Sequence, residues 1–235
     1  MLDPTFWQKR RVFVTGHSGF KGSWLLLWLL QLDAQVHAYA LPPEPEPNLF
    51  RVLWPELDGQ FVHHEADLAD QTTLRQAIET AQPEVVIHLA AQPLVRQSYR
   101  DPLGTWRTNV LGTLELLEAL RPIQHPCAVV MVTTDKVYEN REWEYGYREA
   151  DRLGGHDPYS ASKAGAELAV QSWRASFCGL FPHQTPHLRI ATARAGNVIG
   201  GGDWAADRIV PDAIRALAAG QPIGVRNPMA TRPWQ

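Results

Sequence analysis

Tyr159 and Lys163 stand four residues apart in Tyr-Ser-Ala-Ser-Lys, on a stretch with helical periodicity. Residues four apart share one helix face, so a phenol and an ammonium there meet the same ligand. A neighbouring cation favours the phenolate and lowers the tyrosine pKa. Such a phenolate can act as base toward a sugar hydroxyl while hydride leaves the same carbon, and the lysine can also hold a cofactor ribose. Upstream, the run Thr133-Thr-Asp-Lys-Val-Tyr-Glu-Asn140 follows an apolar strand. Catalytic groups in parallel sheets gather at the carboxyl ends of strands, which makes Thr134, Asp135 and Lys136 further candidates. Thr134 is placed to hydrogen-bond the hydroxyl beside Tyr159. An exposed turn with a salt bridge would show the same Asp-Lys pair.

A second constellation lies near the start. Thr15-Gly-His-Ser-Gly-Phe-Lys-Gly22 links a first strand to a first helix. Gly16 permits a tight turn, Gly19 admits a pyrophosphate close to the backbone, and Gly22 lets the helix pack on the sheet. Ser18 and Phe20 fill the same cofactor-facing turn, and the helix N-terminus offers free N–H groups to phosphate. This is the G-x-x-G-x-x-G spacing of the short-chain dehydrogenases. The acid expected on an adenosine ribose is missing from Val36-His-Ala-Tyr-Ala-Leu41, so that site leaves NAD versus NADP open. Asp67-Leu68, after the third strand, sits where this superfamily contacts adenine; a helix-capping aspartate is the alternative. Ala90 is small enough for a cofactor to pass. Asn109, polar in an apolar helix, needs a partner, either cofactor or backbone.

The elements that must position these groups alternate. Strands are expected at 12–14, 35–40, near 61–62, and at 85–89, 128–132 and 188–193. Helices are expected at 20–32, 72–81, 106–120, 159–177 and 207–219, with Gly220 closing the last. The segments 41–47, which holds four prolines, and 139–158 read as loops, and 222–225 as strand-like. Alternation of this kind predicts an α/β fold: a Rossmann-like, doubly wound parallel sheet. Residues 85–89 form a continuous apolar run, as expected where both sheet faces are covered.

The chain has 235 residues, 45% of them hydrophobic, and a net charge of -3. That suits one α/β domain with a small appended lobe. The balance lacks the basic excess of a nucleic-acid binder. Cys127 and Cys178 sit in no metal-like spacing and fit a reduced compartment. His63 and His64 read as a solvated strand end, and no metal site is expected. No signal peptide is visible, and the longest apolar run, Trp24 to Leu30, is too short to cross a bilayer. A cytoplasmic protein with no membrane partner is the expectation.

Longer runs are more particular. Thr15 to Trp24, Pro47-Asn-Leu-Phe50 (read as a loop) and Thr134 to Asn140 resemble the CDP-glucose 4,6-dehydratases, a branch of the extended short-chain dehydrogenase/reductase (NAD-dependent epimerase/dehydratase) family. So do Ala195-Gly-Asn-Val-Ile-Gly-Gly-Gly-Asp-Trp204 and Arg226-Asn-Pro-Met-Ala-Thr-Arg-Pro-Trp-Gln235. The resemblance implies tightly held NAD and an intramolecular redox elimination. Hydride leaves C4 of glucose as Tyr159 takes the hydroxyl proton, the C5 proton and the C6 hydroxyl are lost, and hydride returns to C6. The product would be CDP-4-dehydro-6-deoxyglucose, a precursor of dideoxysugars for lipopolysaccharide. Related dTDP-glucose dehydratases carry Asp-Glu where this chain has Asp135-Lys136. Asp135 can still protonate the leaving hydroxyl; Lys136 can remove the C5 proton only if burial or a neighbouring cation lowers its pKa. Asn197 resembles the residue that contacts the nucleotide diphosphate. Arg208, Arg226 and Arg232 are phosphate partners on the same reading, since guanidinium matches phosphate bidentately; each could equally be a surface arginine.

The resemblance divides the chain into an NAD-binding Rossmann domain, 1–195, and a partial nucleotide-sugar lobe, 196–235. Family members continue past Gln235, so the chain reads as truncated within that lobe, with Ile209, Ile214 and Leu217 left exposed. A homodimer is implied, through the helices that include Trp106–Leu120 and Tyr159–Phe177. Two alternatives stay open: another nucleotide-sugar dehydratase or epimerase, and a dinucleotide-binding module without activity.

Overall fold

Six short segments, all but the third largely apolar, pair side by side, every one parallel to its neighbours: β1 (Arg11–Thr15), β2 (Gln35–Ala40), β3 (Val62–Glu65), β4 (Val85–His88), β5 (Cys127–Val132) and β6 (Leu188–Ala193). Their order is β3-β2-β1-β4-β5-β6, so the winding direction reverses between β1 and β4. The computed structural model describes residues 3–44, 46–179 and 187–234. The helices are α1 (Phe20–Gln31), α2 (Leu49–Leu57), α3 (Gln71–Ala81), α4 (Val95–Arg100), α5 (Pro102–Trp106), α6 (Gly112–Leu120), α7 (Pro158–Phe177) and α8 (Ile209–Ala218). No helix among the described residues is long and apolar enough to cross a membrane.

Strand side chains alternate between faces, and that alternation divides the core. Val12 and Val14 pack with Leu26 and Leu29 of α1 and with Phe50 and Leu57 of α2. Phe13 and Val86 point the other way, into Leu74, Leu116, Leu120 and Val170 of α3, α6 and α7. Burying each such side chain is worth about 1.5–3 kcal/mol. β4 is covered on both faces, as its apolar run implies. β5 and β6 are covered on one face only among the described residues: Ala128, Arg189 and Ala191 remain exposed on the other.

Several elements differ from the sequence reading. The Pro47–Phe50 run is no loop. Asn48 caps α2, its Oδ1 accepting from the Phe50 amide at 2.8 Å, and the helix runs on through Pro55. The helix expected at 106–120 starts earlier and is broken. Asp101 caps α5 and Pro102 follows at its first position, then Arg107–Leu111 widen into a π turn before α6. His63 is half-buried rather than solvated; it stacks on Phe50 and hydrogen-bonds His17 at 2.9 Å. Residues 222–225 form no strand. Ile209, Ile214 and Leu217 of α8 are exposed, as expected.

Among the described residues, the tightest constraint set by backbone is in the first glycine turn. A Cβ on Gly22 would lie 2.1 Å from the Gly16 carbonyl oxygen, and one on Gly16 would lie 2.5 Å from the Ala90 backbone nitrogen. Gly16 also has φ +78°. Backbone, unlike a flexible side chain, cannot step aside cheaply. We therefore expect Gly22→Ala to lose about 3 kcal/mol of stability. Gly146→Ala, where a Cβ meets nothing within 4 Å, should change it by less than about 0.5 kcal/mol. Urea unfolding curves of the two variants check this; equal midpoints would contradict the packing argument.

Candidate active site

The reversal between β1 and β4 opens the carboxyl edge of the sheet, where ligands bind in folds of this topology. Gly16 follows β1, Ala90 follows β4, and their backbones meet there. Gly19 begins α1 with no side chain capping its amides. A free helix N-terminus fits phosphate, and a Gly22 that admits no Cβ keeps the backbone close behind it. The turn is braced from outside, for Ser18 Oγ donates to the Leu41 carbonyl at 2.8 Å. Phe20 packs under Gly200. These features fit a dinucleotide.

The phenol and the ammonium come from the start of α7. Asp157 caps that helix, accepting from the Ser160 amide at 3.0 Å and hydroxyl at 2.6 Å, and Pro158 occupies its first position. Tyr159 and Lys163 are both buried. The Lys163 ammonium donates to the Val132 carbonyl at 3.3 Å. Burial, then the neighbouring Lys21 charge, lower its pKa to about 8, while Glu167 opposes them. The tyrosine departs from expectation. Burial raises the Tyr159 pKa, and the groups that pull it down are the Thr134 side chain, by a hydrogen bond, and Arg208. Lys163 is turned back toward β5 and is not among them.

Thr134 and the pair after it come from the end of β5. Thr134 Oγ1 donates to Asp135 Oδ1 at 3.0 Å. Lys136 Nζ lies 3.6 Å from Asp135 Oδ1 and donates to Asn197 Oδ1 at 3.2 Å. The sequence reading asked for burial or a cation beside Lys136; its close charged neighbour is an anion instead. Thr134, Lys136, Tyr159 and Asn197 line one cavity of about 910 Å³. Arg208, Arg226 and Arg232 line it too. Arg208 pairs with Asp203 at 2.7 Å, and Arg226 with Asp207 at 2.7 Å. Lys21 and Arg96 complete six basic side chains against Asp203, Asp207 and Asp212 in the lining. That excess suits an anion.

The comparisons with known proteins agree with this arrangement. The sequence model of the GDP-mannose 4,6 dehydratase family matches residues 13–191. The chain belongs to that family. It is 49% identical over its whole length to CDP-glucose 4,6-dehydratase of Salmonella typhimurium and spans 65% of that relative. UDP-glucuronic acid 4-epimerase of Bacillus cereus, solved with UDP-glucuronic acid and NAD, superposes with a TM-score of 0.78 at 25% identity, over 95% of this chain and 68% of that one. A dTDP-glucose 4,6-dehydratase of Streptomyces venezuelae superposes at 0.80 over 95% of this chain and 67% of that one; at 22% identity it shows the fold alone.

Other predicted residues have partners within the protein. Asn109, buried in the π turn, uses its whole amide on protein: Oδ1 accepts from the Gln92 amide at 2.8 Å, and Nδ2 donates to Gln92 O at 3.1 Å and Ser162 Oγ at 2.9 Å. It ties the loop after β4 to α7. Leu68 is core and touches Gly112. Asp67 is exposed and accepts from the Ala69 amide at 2.9 Å; the residue that caps α3 is Asp70. Lys21, Arg96 and Asp203 were missed. Lys21 carried a signal: a cation in the first turn of a helix opposes the dipole and asks for a ligand.

The lowered Lys163 pKa has a consequence for stability. The unfolded chain keeps this proton to 10.5 and the folded one only to about 8. Between those values the unfolded state binds more protons, so stability rises with pH across that window. We expect Lys163→Met to be more stable than the parent at pH 7, with the advantage shrinking from pH 8 to 10.5. Urea unfolding over a pH series reads this, and a difference that stays constant would refute the burial argument.

Proposed function

We propose that the protein dehydrates a nucleotide-linked glucose, CDP-glucose, to its 4-dehydro-6-deoxy form with NAD as resident cofactor. One observation carries the reading: Tyr159, Thr134 and Lys136, the last paired with Asp135 behind it, line the cavity whose wall carries the basic excess. The identity to the Salmonella enzyme supports the cytidine nucleotide, and the NAD in the B. cereus structure supports the cofactor. Residues 1–195 are assigned to the dinucleotide and 196–235 to part of the nucleotide-sugar lobe.

NAD is assigned to the Gly16–Gly22 turn, with Ser18, Gly19 and Phe20 at the pyrophosphate, Asp67 and the Leu68 backbone at the adenine, Ala90 alongside and Lys163 at a ribose. Asn109 positions the Gln92 loop rather than touching the cofactor. Bound there, NAD supplies the acceptor for the C4 hydride and its return to C6. Tyr159 takes the C4 hydroxyl proton. Thr134 and Arg208 work against the burial that opposes its ionisation. The ketone at C4 acidifies the C5 proton. Moving one proton from Lys136 to Asp135 turns their ion pair into a free amine and a carboxylic acid. The amine removes the C5 proton while the acid protonates the C6 hydroxyl, which leaves as water; as hydride arrives at C6 the Lys136 ammonium so formed returns the proton to C5, and the lysine regains a proton from solvent. Asp135–Lys136 also favours dehydration over epimerisation, in which no water is lost. Arg208, Arg226, Arg232 and Asn197 are assigned to the diphosphate.

We place the protein in the cytoplasm, where free thiols such as Cys127 and Cys178 persist, and its product in dideoxysugar and lipopolysaccharide synthesis. A homodimer through the 106–120 region and α7 is supported by the exposed Trp106, Leu111 and Leu168.

Incubation with CDP-, dTDP-, UDP- and GDP-linked sugars, followed by mass spectrometry, tests the substrate. Loss of water from CDP-glucose alone is expected; turnover of another donor with CDP-glucose inert would overturn the assignment. Two variants probe the chemistry. Tyr159→Phe should lower turnover by at least about a hundredfold and still bind NAD; parental turnover would remove Tyr159 from the mechanism. Asp135→Asn should slow elimination more than oxidation, so rapid quenching finds the 4-keto-glucose nucleotide accumulating. Product formed at the parental rate, with no such accumulation, would clear Asp135 of the acid's role.

A further inference from the structure

Glu167 takes part in no step above, yet it is 5% exposed and heavily bonded. It lies one helical turn beyond Lys163 on α7. Arg194, just past the end of β6, grips it bidentately, Nε to Oε1 and Nη2 to Oε2, each at 3.0 Å. Thr133, just past the end of β5, donates to Oε1 at 2.5 Å, and Thr192 on β6 adds a further hydrogen bond. One carboxylate thus joins α7, β5 and β6 where they carry the reacting groups.

The guanidinium reaches further. Its Nη1 donates to the Tyr138 hydroxyl and to Glu149 at 2.9 Å, and its carbon lies 4.9 Å from the centroid of the Tyr138 ring. Thr133 precedes and Tyr138 ends the short segment that carries Thr134, Asp135 and Lys136. The segment is therefore held at one end by the carboxylate and at the other by the arginine. Removing a whole buried ion pair in favour of apolar side chains is often neutral or stabilising, so stability alone gives no reason for this one. Its placement does.

We propose that the Glu167–Arg194 pair is the positioning element of this site, clamping both ends of the Thr134–Tyr138 segment against α7 and setting a fixed negative charge beside the Lys163 ammonium. The effect on turnover rests on the dehydratase reading; the effect on Lys163 does not. The groups around Lys163 explain why the charge matters. Lys21 faces it from α1, His88 from β4 and the Val132 carbonyl from β5, while Tyr159 precedes it on α7. Burial keeps His88 neutral, with its pKa near 3. Lys21 is a like charge. Glu167 is the anion that offsets burial, and Arg194 and Thr133 hold its carboxylate ionised, for their hydrogen bonds lower its pKa against the burial that raises it.

Four variants separate the two roles. Glu167→Gln removes the charge and keeps the shape. Glu167→Asp keeps the charge. Arg194→Lys keeps a cation but loses the fork. Thr133→Val cuts one link and leaves the ion pair. The first readout is the Lys163 Nζ titration by nitrogen-15 NMR, assigned by its absence in Lys163→Met, which needs no turnover. We expect Glu167→Gln to move it to lower pH by about one unit, and Glu167→Asp to restore it. The second readout is kcat against KM on CDP-glucose. Arg194→Lys and Thr133→Val should leave the titration in place and lower kcat about tenfold with KM unchanged. A Glu167→Gln titration at the parental pH, or parental kcat in both clamp variants, would overturn the proposal. Should Glu167→Gln not fold, Thr133→Val decides: parental kcat overturns the clamp, and a lowered kcat at parental KM upholds it. Should the parent turn over no nucleotide sugar, the dehydratase reading fails and the Glu167→Gln titration decides the proposal: a shift to lower pH upholds the fixed charge beside Lys163, and the parental value overturns it.

Discussion

A lysine ammonium almost cut off from water sets the terms for the groups around it. Lys163 is 6% exposed and spends one hydrogen bond on the Val132 carbonyl. A buried charge survives only where its surroundings compensate it. His88 beside it stays neutral and turns its two ring nitrogens to Thr15 and Thr113, at 2.7 and 3.2 Å. Those bonds join β1, β4 and α6 directly beneath the carboxyl edge of the sheet. Glu167 brings an opposite charge and is itself fixed by β5 and β6. The middle of the fold is organised around this buried cation, which is turned toward β5 one helical turn from the phenol.

The same arrangement explains why the phenol rests protonated. Tyr159 pairs with Thr134 and feels Arg208 across the cavity, and burial still outweighs both. In the proposed mechanism the phenol's own proton therefore passes to solvent first, and the phenolate then takes the C4 hydroxyl proton as the hydride leaves. The ion pair of Asp135 and Lys136 is assigned a like part in the proposed mechanism, as base and acid once a single proton crosses it. Both devices keep reactive forms out of the resting site. The basic lining, where Arg208 and Arg226 are already paired with aspartates, adds a cost to phosphate binding, because those pairs must be shared with the ligand.

Much of this was legible in the sequence, for local reasons. The glycine turn, the Tyr-Lys spacing and the Thr-Asp-Lys run are contiguous, and each lies where an apolar strand ends. The parallel sheet followed from alternation, and β4 showed its two buried faces as an unbroken apolar run. What was missed depends on distant partners. α2 was hidden because Pro47 precedes it and Pro55 lies within it, although Asn48 is an ordinary cap. The π turn has no marker; it is set by Asn109 reaching Gln92 and Ser162. The direction of the Tyr159 shift turned on burial, which spacing does not reveal. Lys21 and Arg96 enter the cavity only because α1 and α4 converge on it. The partner of Lys136 is Asp135, an anion next to it in the chain, and spacing alone did not show which charge would face that lysine.

The central claim is that hydride lifted from one carbon of the sugar is set down on another carbon of the same molecule, within this cavity. CDP-glucose carrying deuterium at C4, incubated with the protein and NAD, tests it most directly. The account predicts a product lighter by one water, with the deuterium found at C6 by NMR and no loss of label to solvent. Deuterium retained at C4 with the substrate mass unchanged, or a CDP-glucose that stays unaltered while NAD binds, would contradict it.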